Sequence, residues 1–199
     1  MSSQGDNMAS SLLRTIIRAM LPIINKVHTM VLDIKPLEKN SLICIEVRRH
    51  RGCPIKLEDG CEIGPGDPVI KLHFNDAWIA ERLRPSSGSG TRGFPRGLFY
   101  YFKDGLQLLA TEVADGKYGS IVAVYGWTAF HAHARRLGFQ VIDLPNTLRI
   151  KLARLHIAAL MQSHHTPWFK KHITSRKSVK VKAVWLSRAE LLRIHGSVS

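Results

Sequence analysis

Reading apolar against polar positions from the N-terminus, the spacing first predicts a long helix over Ser11–Leu32. Leu13, Ile16, Ile17, Met20, Ile24, Val27, Met30 and Val31 form one broad stripe, with Arg14, Arg18 and Lys26 mostly off it. Pro22 kinks or divides that helix, because it lacks an N–H and crowds the preceding turn. Beyond it the period shortens to two. Leu42–Arg49 alternates as a strand, with Ile43, Ile45 and Val47 on one face. Ile55–Leu57 is a short strand ending at the hairpin signal Asp59-Gly60, and Gly64-Pro65-Gly66-Asp67 is a second tight turn. Val69–Phe74 is the next strand, so the N-terminal half reads as antiparallel hairpins.

The period then lengthens again. A short helix is expected over Asn75–Leu83, a loop over Arg84–Arg92, and a longer helix over Pro95–Ala114. On that helix Leu98, Phe102, Leu106, Leu109 and Val113 share one face, and Gly105 weakens it by up to about 1 kcal/mol relative to alanine. The chain is organised around Tyr118–Pro145. Here Ile121–Val124 is a buried strand. Trp127, Phe130, Ala134 and Leu137 mark an amphipathic helix of about three turns. Gly138 takes a left-handed cap, and Phe139–Leu144 returns to strand character. Asn146 caps a helix over 147–162, and 163–178 is a basic, histidine-containing loop. Val179–Leu186 is a last strand. Ser187-Arg188-Ala189-Glu190 opens a final helix closed by Gly196. The strand–helix–strand core with flanking hairpins predicts an α/β fold of the α+β mixed-sheet kind.

Composition narrows this picture. A chain of 199 residues, 45% hydrophobic and 22% charged, suits one folded domain over 11–199 behind a disordered polar tail at 1–10. No window offers the roughly 18–20 apolar residues that span a bilayer, and the start of the chain has no signal-peptide pattern, so a cytoplasmic location is expected. The three cysteines, Cys44, Cys53 and Cys61, read as reduced thiols, and Cys53 and Cys61 are too far apart for a zinc knuckle. No metal site is expected.

The net charge of +14 is uneven, since Arg149–Ser199 holds 11 Lys and Arg against the single carboxylate of Glu190. That third of the chain is either a solvated basic surface or a face for an anionic polymer, a nucleic acid or a membrane surface. No specific nucleic-acid motif accompanies it. The N-terminal helix likewise packs on the core or lies on an anionic membrane surface, peripherally.

The candidate catalytic residues are few. His131 titrates near neutral pH and stands six residues after Tyr125, which makes the two a candidate base and partner. His131 and His133 are two apart on a helix and cannot chelate one ion together. The chain lacks the paired-Asp and HxxxH motifs of a polysaccharide deacetylase.

Several short runs together resemble one family. Arg51-Gly52 through Asp59-Gly60, Gly66-Asp67-Pro68-Val69 and Leu72-His73-Phe74-Asn75 look like the YkoP-like family of bacterial proteins. So do Tyr125-Gly126-Trp127, Ala134–Phe139 and Val184–Arg188, and the likeness spans about residues 12–196. The resemblance implies an uncharacterised protein, mainly of Gram-positive bacteria, associated with cell-envelope polysaccharide enzymes such as deacetylases and glycosyltransferases. It implies an accessory factor and carries over no catalytic residue.

The order of elements is also similar to the acyl-CoA-binding half of GNAT acyltransferases, with a three-layer arrangement. That resemblance implies acyl-CoA as cofactor. The run Gly88-Ser89-Gly90-Thr91-Arg92-Gly93 would hold its pyrophosphate at a helix N-terminus, aided by Arg92 and Arg96. Two departures stand out. Arg84 precedes Gly88 by one residue more than the GNAT loop pattern requires. Ala134 occupies the position of the tyrosine that protonates the leaving thiolate. Three functions are therefore expected in turn: an accessory factor in cell-envelope polysaccharide metabolism, an acyltransferase, or a basic binding module.

Overall fold

The computed structural model describes residues 33–82, 94–144, 150 and 180–196. The expected tail, N-terminal helix, Gly-rich loop, helix from Thr147 and His-containing loop lie outside these residues. The chain divides into two compact units, Met1–Lys35 and Pro36–Ser199. In the first, Lys35 Nζ meets Asp33 Oδ1 at 3.0 Å.

Among the described residues the strands are β1 (Lys35–Pro36), β2 (Ile43–Arg49), β3 (Ile55–Lys56), β4 (Glu62–Ile63), β5 (Pro68–Phe74), β6 (Ala123–Thr128), β7 (Gln140–Ile142) and β8 (Lys182–Ser187). The helices are α1 (Asp76–Arg82), α2 (Phe94–Ala114), α3 (His131–Arg135) and α4 (Arg188–His195). Six strands form one sheet in the order β1-β2-β5-β6-β8-β7, and β3 and β4 form a separate hairpin. The fold is thus the expected mixture of sheet and helices. β5 and β6 run parallel, whereas the β2–β5, β6–β8 and β7–β8 pairs are antiparallel.

The turns follow from their residues. Gly60 at φ +85° closes the β3–β4 hairpin, and Gly66 at φ +97° turns the chain into β5. In that second turn the Gly64 N–H donates to Asp67 Oδ2 at 2.7 Å. Asn75 starts α1, its Oδ1 accepting from the Trp78 N–H at 3.1 Å. Ser187 starts α4 in the same way, accepting from the Glu190 N–H at 3.0 Å.

The Tyr118–Pro145 unit departs from expectation in two respects. β6 runs on through Tyr125, Gly126, Trp127 and Thr128, so Trp127 belongs to a strand and not to a helix. The following helix is only the five residues His131–Arg135. The cause is cross-strand pairing: Tyr125, Gly126, Trp127 and Thr128 sit opposite Trp185, Val184, Ala183 and Lys182 of β8, and that ladder overrides the helical spacing. Gly138 is left-handed at φ +91°, as the cap requires, and a Cβ there would collide with Ile194 Cδ1. β7 lies in the sheet as expected, but β8 separates it from β6, so the strand–helix–strand unit is split. Gly196 closes α4 through its N–H to Leu192 O at 2.9 Å, with extended rather than left-handed backbone.

Two apolar clusters lie on the two faces of the sheet. On one face Ile43, Ile45, Ile70, Leu72, Val124, Val184 and Leu186 meet Leu106, Leu109 and Val113 of α2, Ala134 of α3 and Leu191 of α4. Gly105 explains its own presence here. A Cβ would come within 2.7 Å of Ile43 Cδ1, so the helix trades propensity for a close approach to the sheet. On the other face Val69, Ala123, Tyr125, Ala183 and Trp185 are covered by Leu57 and Ile63 of the β3–β4 hairpin. The Glu58 N–H fastens that hairpin to β7 by donating to Gln140 Oε1 at 2.8 Å.

Candidate functional site

The β5–β6 junction is where the sheet is least regular. The parallel ladder pairs Val69 with Ala123, Ile70 with Val124 and Lys71 with Tyr125, then ends. Both strands continue. β5 keeps pairing with β2 through Phe74, and β6 keeps pairing with β8 through Thr128. The result is a fork at the carboxyl ends of the parallel pair, the position where open α/β sheets hold ligands. At its root Gly126 is tightly placed, since a Cβ would lie 3.3 Å from Leu72 O.

The helix side of the fork is aromatic. The Phe74 ring is 5.6 Å from Phe102 of α2 and 6.2 Å from Phe130, which precedes α3. Nearby pairs of helix residues carry arginine on aromatic rings. Arg136 stands 5.2 Å from the Phe99 ring, and Arg82 stands 4.6 Å from Trp78 and 5.0 Å from Tyr101. Tyr100 and Tyr101 of α2 are exposed.

The opposite side is polar. In the β2–β5 register Cys44 lies opposite His73, Glu46 opposite Lys71 and Arg48 opposite Val69, all on one face. Glu46 is buried, only 4% exposed. Its Oε2 is 3.1 Å from His73 Nε2, and its Oε1 accepts from the Arg48 guanidinium at 3.1 Å. Burial alone would raise the Glu46 carboxyl. The His73 hydrogen bond and the charges of Lys71 and Arg48 outweigh it and leave the carboxyl below its ordinary value. Glu46 is therefore an acceptor at neutral pH, and His73 donates through Nε2–H. Lys71 Nζ stands 5.2 Å from the Trp127 ring. Burial lifts the Asp76 carboxyl to about 6, and burial with the nearby Asp76 lifts the Cys44 thiol to about 11. Cys44 is thus a protonated thiol and a poor nucleophile.

The residues singled out from sequence fall in different places. Tyr125 is buried and stacks on Trp185, with centroids 4.4 Å apart and planes 11° apart. It faces the hairpin side. His131 begins α3, whose Ala134 packs into the cluster on the other side. Burial and the charges of Lys182 and Arg135 hold His131 below its ordinary value. Gly88, Gly90, Arg92 and Gly93 lie outside the described residues, as does the Arg96 side chain. Arg96 itself is in the first turn of α2. Among the described residues all three cysteines are free, and no cluster of three His, Cys, Asp or Glu side chains could hold a metal ion. His50 is accounted for by packing. Its Nε2 donates to Cys53 O at 3.0 Å, and its ring edge meets Trp185 at 5.5 Å. In the basic C-terminal third, Lys182 meets Asp143 at 2.8 Å and Arg193 meets Glu190 at 2.6 Å.

The Glu46–His73 pair was not apparent from sequence. Its one signal is the shared period of two, which puts Glu46 and Arg48 on one strand face and Lys71 and His73 on another. The register that joins those faces is set by the turns around β3 and β4.

A mixed sheet whose β5–β6 pair is parallel, packed by α2, α3 and α4 on one face and by the β3–β4 hairpin on the other, defines an α+β domain with its candidate site at the strand fork. The YkoP domain model matches residues 14–195, and the chain belongs to that family. No curated protein and no solved structure matches it. Among the described residues no helix is long and apolar enough to cross a membrane.

Proposed function

We propose that this chain binds acyl-CoA at the β5–β6 fork and transfers the acyl group, in a GNAT-like arrangement. The observation that carries the reading is the ladder that stops at Lys71 and Tyr125 while both strands run on. An extended pantetheine arm needs such a gap, because a continuous ladder leaves no backbone groups for it to pair with. The strand order β2-β5-β6-β8-β7, with β5 and β6 its parallel pair, supports the same reading. So does the position of the Gly88–Gly93 run immediately before α2, whose N-terminal N–H groups would face a pyrophosphate held by Arg92 and Arg96.

One observation favours a second reading, an accessory role in cell-envelope polysaccharide metabolism without catalysis. Ala134 stands where a GNAT enzyme has its proton-donating tyrosine, and it is buried in the core at 9% exposure. In that case the fork holds a ligand or a partner strand and no acyl group moves.

Thermal unfolding of the full chain with acetyl-CoA separates the readings. Occupancy at a hundred times Kd stabilises the folded chain by about 2.7 kcal/mol, seen as a raised Tm. An unchanged Tm at millimolar acetyl-CoA ends the acyl-CoA reading and leaves the accessory one.

A further inference from the structure

We propose that Arg82, held against the Trp78 and Tyr101 rings, receives the 3′-phosphate at the nucleotide end of acyl-CoA. This rests on the acyl-CoA reading and extends it from the pantetheine arm to the other end of the cofactor. β5 passes through Asn75 directly into α1, so α1 starts at the carboxyl end of β5, where the fork opens. Trp78 and Ile79 of α1 pack with Phe74 at the end of β5 and with Leu98 and Phe102 of α2. Arg82 is the last residue of α1 and is exposed. Trp78 therefore links Arg82 to the aromatic side of the fork.

The guanidinium has the build of an anion receptor. It stands 4.6 Å from the Trp78 ring and 5.0 Å from the Tyr101 ring, and those rings meet edge to face at 4.9 Å. Its Nη1 donates to Tyr101 Oη at 3.2 Å. Ring contacts engage the flat face of a guanidinium, whereas its N–H donors project from the edge in a fixed fork that matches phosphate oxygens. A guanidinium already held in one place loses little further freedom when it closes on a phosphate.

The surroundings narrow the ligand. Tyr100 and Tyr101 are exposed neighbours on one turn of α2, and their rings offer stacking to a base. Arg136, just past α3, stands 5.2 Å from the ring of Phe99, the residue before Tyr100. Lys103 is exposed one turn beyond Tyr100. Glu81 and Asp104, on the same two helices and both exposed, interrupt this positive charge. Mixed charge suits a nucleic acid poorly, because a polyanion calls for a continuous basic track. A single phosphomonoester, dianionic near neutral pH and gripped by one guanidinium, suits it well. A nucleotide with a ribose phosphate besides its pyrophosphate chain is the chemistry of CoA.

The test compares CoA with 3′-dephospho-CoA in calorimetric titrations of the full chain. The two ligands share thiol, pantetheine arm, pyrophosphate and adenosine, so their difference isolates the 3′-phosphate. Wild type is expected to bind CoA about tenfold or more tighter than dephospho-CoA. Arg82→Gln should bind CoA about tenfold more weakly and dephospho-CoA as before, which erases the preference. An arginine that merely clamped α1 to α2 would leave the preference intact, whatever its removal did to both affinities. Equal affinities in wild type overturn the proposal, as does an undiminished preference in Arg82→Gln. A wild-type chain that binds neither ligand removes the underlying acyl-CoA reading instead. Should Arg82→Gln fail to fold, Tyr101→Phe decides. It keeps the ring and deletes the oxygen that orients the guanidinium, so the preference should fall, and an unchanged preference overturns the assignment.

Discussion

Strand β5 has two neighbours and meets them differently. Along β2 it pairs at seven positions, from Pro68 through Phe74, and along β6 it pairs at three. The full ladder is antiparallel and carries the half-buried Glu46–His73 contact, while the short one is parallel. Each ladder bond forgone costs about 0.5–1.5 kcal/mol, so an open fork has to be offset by its surroundings. The offset is visible on the helix side. There Leu106, Leu109 and Val113 are fully buried against Ile43, Ile70 and Val124 and hold β2, β5 and β6 to one helix. The fork is therefore a local departure within a firmly packed sheet.

The largest effect comes from loosening that packing. Leu109→Ala removes a side chain with no exposed surface and should destabilise the fold by about 2–5 kcal/mol in urea unfolding. If helix α2 merely decorated the sheet, the loss would fall well below that range. Acid should act next. His195 Nε2 donates to Leu137 O at 2.9 Å, tying α4 to the Gly138 turn, and the residue is 3% exposed. Burial, with Lys103 nearby, holds its imidazole below the ordinary value. The folded chain thus binds the proton less readily than the unfolded one. The resulting stability is complete above the ordinary histidine value of about 6.5 and is lost as pH falls below it, by at most about 1.4 kcal/mol per pH unit. Comparing wild type with His195→Gln across pH 7 to 5 isolates this contribution, and parallel curves would show that His195 plays no part.

How much of this was legible beforehand depended on whether a signal was local. Asp59-Gly60, Gly66, Gly138 and the Ser187 cap are set by the φ angles or side-chain oxygens of a few adjacent residues, and each appears where the sequence puts it. The two faces of β2 and β5 follow from a period of two. Trp127 misled because its three-residue spacing to Phe130 mimics a helix, whereas pairing with Ala183, 56 positions later, decides its state. The fork and the Glu46–His73 contact depend on register between strands far apart in the chain, which no local pattern encodes. The family resemblance was legible because it summed many weak positions over nearly the whole chain, and the YkoP match covers that same span.

The smallest change in stability, and the sharpest probe of the fork, is Gly126→Ala. Gly126 lies one residue past the last β5–β6 pair and opposite Val184 of β8. A strand glycine replaced by alanine gains about 0.5–1 kcal/mol from reduced chain entropy. Against that, the new Cβ sits 3.3 Å from Leu72 O, and overpacking of this sort costs about 1–3 kcal/mol. The two oppose each other, leaving a net loss of about 1 kcal/mol. The atom that has to yield is a β5 backbone carbonyl at the root of the opening, so the geometry of the fork changes more than the stability does. The expected outcome is a urea midpoint lowered by the equivalent of about 1 kcal/mol together with a markedly reduced Tm increase on adding acetyl-CoA. If the acetyl-CoA response survives intact, the ligand does not enter at the root of the fork, and the contrast between the two sides of β5 is one of pairing alone.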